Sequence, residues 1–88
     1  MFQSEFKRTY GGSLTRSRSA SKEVAKFLMD NQVSLSTAQS LELCVVELMN
    51  NAYIHSYSEI EGKPIDVECR IRCDQMSDFI ELRVSDYG

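Results

Sequence analysis

Residues 36–57 read STAQSLELCVVELMNNAYIHSY, and the whole chain is organised around this stretch. It lacks Pro and Gly, and Ser36 followed by Gln39 has the form of a capping box, so the spacing predicts one long helix from Ser36 to Tyr57. At ~100° per residue, Leu41, Val45, Val46, Met49, Ala52 and Tyr53 fill one side, with Leu43 and Ile54 near the opposite one. A helix apolar nearly all round is expected to be buried. Glu47, Asn51 and His55 stand at i, i+4 and i+8, a polar stripe drifting ~40° per step inside that surface. A carboxylate and an amide there are costly unless they are paired or face a wet cavity. The stripe is the candidate site.

Beyond the helix, Ser58 to Lys63 is a polar loop and Pro64 opens the next element. Residues 65–73 alternate: Ile65, Val67, Cys69, Ile71 and Cys73 point one way, Asp66, Glu68, Arg70 and Arg72 the other. That is a strand with one buried face. A turn over Asp74–Asp78 leads to a second strand, with Ile80, Leu82 and Val84 inward and Glu81, Arg83 and Ser85 outward. Pairing the two as a hairpin sets outward charges of mixed sign opposite one another. Before the long helix, Leu14 to about Asn31 suits a helix packed on one face, with Ser13 as its cap and Asp30-Asn31 as its stop, although serines 17, 19 and 21 weaken its propensity. Residues 2–10, where Phe2, Phe6 and Tyr10 share a parity, read as a short edge strand ended by Gly11-Gly12. Strand, two helices and a hairpin make an α+β layer: helices on one face of a sheet.

Composition narrows the class. At 88 residues, 42% hydrophobic and 26% charged, the chain is a single small domain of ordinary soluble composition. No apolar run approaches the ~20 residues of a membrane span, and the polar start is no secretory signal, so a cytoplasmic protein without membrane association is expected. The net charge of −3 hides an asymmetry. Residues 1–26 carry Lys7, Arg8, Arg16, Arg18, Lys22 and Lys26 against Glu5 and Glu23. These basic residues are dispersed and lack interleaved aromatic platforms, which argues against nucleic acid and for a solvated face, with an acidic protein partner as the next reading. Three cysteines suggest no disulfide framework. Cys69 and Cys73 would lie ~13 Å apart along one strand, too far to bridge, and Cys44 is expected as a small buried hydrophobe.

The run Glu47-Leu48-Met49-Asn50-Asn51-Ala52-Tyr53-Ile54-His55 resembles the N-box of the GHKL superfamily of ATP-binding domains. With Glu four before Asn and His four after it, the run is most similar to the bacterial anti-sigma-factor serine/threonine kinases. Val84-Ser85-Asp86-Tyr87-Gly88 resembles the superfamily's D-x-G adenine box. The resemblance implies a Bergerat-type α/β sandwich with ATP and Mg²⁺ above the N-box helix. Glu47 is implied as general base, taking a proton from the attacking hydroxyl. Asn51 is implied to hold Mg²⁺ through its amide oxygen, a hard neutral donor. Asp86 is implied to accept from the adenine amino group, and Gly88 to let backbone approach the ring. His55 takes a hydrogen-bonding place at the pocket edge, with a plain core histidine as the other reading. Asn50, ~100° away, is expected to be structural.

The chain departs from the family in stopping at Gly88, before the rest of the glycine-rich adenine box, the ATP lid and the second glycine box. Residues 1–88 are thus expected to be the N-terminal part of one incomplete domain that binds ATP·Mg²⁺ weakly or not at all. Three functions are weighed. The first is part of an anti-sigma serine kinase, with a sigma factor and an anti-anti-sigma protein as partners. The second is the ATP-binding part of a two-component sensor histidine kinase, against which no phosphoacceptor hairpin precedes the domain. The third is a non-enzymatic half-domain acting by protein association. An unpaired outer edge on the strand carrying Asp86 leads to the expectation of a homodimer, with exchange of a strand or helix as one route.

Overall fold

The computed structural model describes residues 2–73 and 78–88. The chain runs through β1 (Phe2–Gly11), α1 (Leu14–Asp30), α2 (Leu35–Asn51), a π-helical turn (Ala52–Ser56), β2 (Pro64–Cys73) and β3 (Asp78–Asp86). The three strands form one antiparallel sheet in the order β1-β2-β3. The α+β layer, with β1 at an edge, is therefore the architecture observed. The turn expected over 74–78 lies outside the described residues up to Asp78, as do the expected inward side chains of Cys73 and Phe2.

The alternation of β2 is what fixes the layer. Ile65, Val67 and Cys69 are fully buried and Ile71 nearly so. Ala20, Val24 and Leu28 of α1 join Ala38, Val45, Met49 and Ala52 of the second helix and its extension to cover them, with Tyr10 and Tyr57 at the margin. Burial pushes the Cys69 thiol up to about 11. Two serines of α1, Ser17 and Ser21, are also buried. Their hydroxyls stay satisfied on their own helix, reaching Leu14 O and Arg18 O at 2.8 Å each.

The helix ends show where local chemistry won. Ser13 accepts from Arg16 N at 3.0 Å, the cap expected for α1. At the other end Val33 N–H donates to Leu28 O (3.0 Å) and Gln32 N–H to Met29 O (3.1 Å), with Gln32 at φ 62°. This is a Schellman closure built on a residue other than glycine. It corrects the expected capping box. The closure uses Gln32 and Val33 and delivers an extended Ser34, so Ser34 rather than Ser36 accepts from Thr37 N (3.3 Å) and α2 begins at Leu35.

Two further expectations are overturned by the two-layer architecture. The long helix is not buried all round: Leu43, Leu48 and Ile54 are 60%, 43% and 40% exposed. Cys44, read as a buried hydrophobe, is exposed on the same helix. One face of α2 packs on α1 and the sheet, and among the described residues nothing covers the other. The strand β3 is also incompletely covered, since Ile80, Leu82 and Val84 are only half-buried.

On the outer face of the sheet the expected mixed-sign pairing is present and extends to β1. Glu5, Arg70 and Glu81 share one row and Lys7, Glu68 and Arg83 another. Arg70 Nε lies 2.6 Å from Glu5 Oε2 and Lys7 Nζ 3.5 Å from Glu68 Oε1; the contacts to Glu81 and Arg83 are looser, at 4.0 Å. At the sheet edge, Tyr10 Oη donates to Glu23 of α1, whose Oε1 also takes Arg8 Nη1 at 2.9 Å. The Tyr10 hydrogen bond, more than Arg8, holds the Glu23 carboxyl below its ordinary range. Burial, reinforced by Glu23, pushes the Tyr10 hydroxyl up.

Two outcomes check this description. Ser34→Ala is expected to cost about 1 kcal/mol in urea unfolding, while Ser36→Ala stays within about 0.5 kcal/mol of the parent. The depressed Glu23 carboxyl contributes stability that is complete above its ordinary value of 4.5 and is lost as pH falls through the folded-state value. Glu23→Gln should therefore flatten the decline of the urea midpoint between about pH 4.5 and lower pH.

Candidate functional site

The helix carrying the polar stripe does not remain an α-helix to its end. Ala52 N–H is shared between Leu48 O and Met49 O, and Tyr57 N–H donates to Ala52 O at 3.1 Å, an i→i+5 closure. The extra residue in this turn corrects the expectation of one uniform helix. Single π-turns of this kind frequently mark functional positions. Glu47 and Asn51 keep the α-helical spacing, while His55 follows the wider turn and leaves their register.

Buried Tyr57 anchors the end of the turn. Its hydroxyl donates to Pro64 O at 2.6 Å and accepts from Tyr87 N–H at 2.8 Å, so one side chain ties the helix end to the start of β2 and to the residue after β3. Tyr53 Oη donates to Glu59 O at 3.1 Å. The chain leaves through Ser58 and Glu59, both in the left-handed region at φ 51° and 61°, each costing about 1–2 kcal/mol without glycine. The bonds from Glu59 N–H to Tyr53 O and from Ile60 N–H to Tyr57 O, both 2.9 Å, hold that strained exit.

Against this frame the candidate residues fall into two groups. Glu47 and Asn51 are exposed on α2, and His55 is exposed on the π-turn, which removes the core-histidine reading. Among the described residues none of these three side chains makes a hydrogen bond or ion pair, so all three are open to a ligand. The stripe thus faces outward and is not enclosed in an apolar surface, because α2 buries only one of its sides. Asp86 and Gly88 form the second group, docked against the π-turn beside His55. Asp86 Oδ2 accepts from Ser56 Oγ at 2.9 Å and Oδ1 accepts from Gly88 N–H at 3.2 Å. A Cβ at Gly88 would lie 2.7 Å from Ser56 O, so only glycine permits this approach. Asn51 precedes Ser56 by roughly 7 Å of helix rise.

Asn50 is structural, as expected. Its Oδ1 lies 2.6 Å from Ser17 Oγ, across the α1–α2 interface. That hydroxyl has one proton and already donates to Leu14 O, so turning the Asn50 amide to present Nδ2 satisfies both groups. Ser56, Tyr57 and Tyr87 were missed by sequence reasoning. Tyr57 carried one usable signal: a tyrosine beside a motif has a hydroxyl that must find a partner when its ring packs down. Tyr87 Oη donates to Asp66, which also accepts from Thr9 Oγ1 at 2.6 Å, so the C-terminal residues are fastened to the outer sheet face. These bonds, Thr9 foremost, hold the Asp66 carboxyl below its ordinary range.

Among the described residues, the grooves lined on α1, α2 and the sheet lie elsewhere. A groove of about 680 Å³ runs between the N-terminal half of α2 and the β2–β3 sheet, lined by Val33, Leu41, Ile71, Phe79 and Ile80 with a few hydroxyls and amides. Among the described residues its lining includes none of the five candidates and no titratable side chain, so size alone does not locate chemistry here. Among the described residues no cluster of three or more His, Cys, Asp or Glu could hold a metal unaided. The donor present, the Asn51 amide, fits Mg²⁺, a cation that keeps most of its waters and takes phosphate oxygens alongside one or two protein ligands.

A family model for the histidine kinase-like ATPase domain matches residues 12–88. The chain belongs to that family. Its GHKL character, inferred from the N-box and the D-x-G box, is thereby shown, and the matched span takes in both helices, the π-turn and the β2–β3 hairpin. Comparison with curated proteins and with solved structures gave no match. As a histidine kinase-like ATPase the domain is an ATP-binding, kinase-type module. Among the described residues no helix is long and apolar enough to cross a membrane.

Removing the anchoring hydroxyl should show how the two groups are held together. Tyr57→Phe strands Pro64 O and Tyr87 N–H and is expected to cost about 1–3 kcal/mol. It should also speed amide exchange at Tyr87 and Gly88 well beyond the change seen in β2.

Proposed function

We propose that this histidine kinase-like ATPase domain serves an ATP-dependent serine/threonine protein kinase of the anti-sigma-factor type. The observation that carries the proposal is the placement of the two motifs. Glu47 and Asn51 stand open on one helix, while Asp86 and Gly88 are docked against the π-turn that continues it. Glu47 would accept the proton of a partner's serine hydroxyl as that oxygen attacks the γ-phosphate of ATP. Asn51 would hold Mg²⁺, which when bound neutralises charge on the phosphates. Asp86 keeps acceptor capacity beyond the bonds from Ser56 and Gly88, and a carboxylate that only accepts selects adenine's amino group over guanine's carbonyl. His55 would hydrogen-bond at the edge of the site. Exposed Leu43, Leu48 and Ile54 flank the polar stripe and supply apolar wall. The protein partners in this reading are a sigma factor and its antagonist in the cytoplasm, with no nucleic acid.

The test pairs binding with phosphotransfer. In a protein that carries the complete ATP-binding domain, displacement of a fluorescent ATP analogue should favour ATP over GTP, and Asp86→Asn should erase that preference. Glu47→Ala should lower transfer to a serine acceptor about 10²–10⁴-fold while leaving nucleotide affinity within about twofold. Phosphotransfer unchanged in Glu47→Ala removes the carboxylate from the base role. An acid-labile phosphohistidine product in place of acid-stable phosphoserine assigns the domain to a sensor histidine kinase.

A further inference from the structure

Ser17, Ser19 and Ser21 of α1 donate their hydroxyl protons to carbonyls three or four residues back on their own helix, at between 2.8 and 3.4 Å. That is the ordinary use of a serine in a helix. Ser56 departs from it. It is the last residue of the π-turn, and its hydroxyl crosses to the end of β3, where Oγ donates to Asp86 Oδ2 at 2.9 Å. Among the described residues this is the only hydrogen bond its side chain makes. The two partners are held by separate means. Buried Tyr57, the next residue, is tied by its hydroxyl to Pro64 O and Tyr87 N–H, which fixes the backbone beside Ser56. Asp86 is held by its pairing with Ile65 of β2, itself fully buried.

Strand register fixes the Cα of Asp86 but not its carboxylate, whose last torsion is broad. Two contacts stop that rotation. Ser56 Oγ–H takes a lone pair of Oδ2, and Gly88 N–H takes one of Oδ1 at 3.2 Å. A carboxylate offers about four lone-pair sites, so acceptor capacity remains on each oxygen, in a plane that is now set. A serine hydroxyl has one proton. Here it is committed to Asp86, so Ser56 turns only lone pairs outward and the two side chains form one edge that accepts and does not donate. Ser56 is exposed and Asp86 half-buried, which leaves that edge reachable from solvent.

We propose that Ser56 is a positioning residue for purine recognition: its hydroxyl orients the Asp86 carboxylate so that an exocyclic amino group is accepted and a carbonyl is refused. This rests on the adenine-binding role proposed above for Asp86. The bond is solvent-exposed, so the fold depends on it little, and its consequence lies in binding. Without Ser56 the carboxylate turns, and ordering it again when the ligand arrives weakens association. Water then takes the vacated lone pair on Oδ2. Unlike the committed hydroxyl, that water has a second proton, which it can donate to a carbonyl. Loss of Ser56 therefore weakens the hold on an amino group and relaxes the refusal of a carbonyl together. Gly88 packs on the same residue, and a Cβ there would lie 3.1 Å from Ser56 Cβ, so informative changes at position 56 are small ones.

The test compares ATP with inosine triphosphate, which carries a carbonyl in place of adenine's amino group and keeps the same sugar and phosphates. In a protein that carries the complete ATP-binding domain, displacement of a fluorescent ATP analogue gives the ratio of the two dissociation constants. Ser56→Ala should narrow the preference for ATP about fivefold, while Ser56→Thr, which keeps the hydroxyl, should stay within about twofold of the parent. Urea midpoints of both variants should match the parent. A purely structural role lowers both affinities together and leaves their ratio unchanged, which overturns the proposal. So does a Ser56→Thr variant that loses the preference as far as Ser56→Ala does. Asp86→Asn separates this proposal from the reading beneath it. Where Asp86→Asn erases the preference and Ser56→Ala retains it, Asp86 stands as the adenine acceptor and the role of Ser56 falls. Where Asp86→Asn retains the preference, both fall.

Discussion

Everything in this domain depends on covering one face of one strand. Ile65, Val67, Cys69 and Ile71 project from the same side of β2, and each side chain of that size contributes about 1.5–3 kcal/mol when removed from water. The strand is paired on both edges, so its backbone is satisfied within the sheet, and only its apolar face requires a second layer. α1 and α2 supply that layer. A slip of one residue in the register of β2 would turn all four side chains to solvent and bring Asp66, Glu68 and Arg70 inward, a change no helix packing could offset.

The end of the molecule that carries the candidate residues is held by different chemistry. Where α2 gives way to the π-turn, the contacts to β2 and β3 are polar: Tyr57 to Pro64 and Tyr87, and Ser56 to Asp86. Such bonds contribute about 1 kcal/mol each, far less than the apolar core. They fix where Asp86 and Gly88 lie relative to α2 without fusing the two into the hydrophobic interior. Glu47, Asn51 and His55 are left exposed for the same reason that the core is stable. α2 uses one face to cover β2, and its other face remains open.

The sheet's far side follows a third logic, that of charge. Rows of alternating sign make the outer face self-satisfied and soluble, so it needs no cover. β3 is poorer in cover on its inner side, where Ile80, Leu82 and Val84 are only half-buried and an open groove separates them from the start of α2.

How much of this was legible beforehand divides along the range of the forces involved. Strand alternation in 65–73 and 80–84, the helical spacing of α1, the Ser13 cap and the GHKL motifs are all local in sequence, and local periodicity is enough to read them. So is the candidate set Glu47, Asn51, His55, Asp86 and Gly88, because motif spacing survives without coordinates. The exposure of Leu43, Cys44, Leu48 and Ile54 was not legible, since a helix that is apolar all round does not say how many layers will cover it. Ser34 in place of Ser36 was decided by the Schellman closure of the preceding helix. The π-turn, and with it the meeting of Ser56 and Tyr57 with Asp86 and Tyr87, was decided by contacts between residues 30 positions apart. Sequence by itself determined which faces must be buried and which side chains could do chemistry; only the tertiary structure decided which apolar faces were left open, because that depends on how many layers the fold supplies.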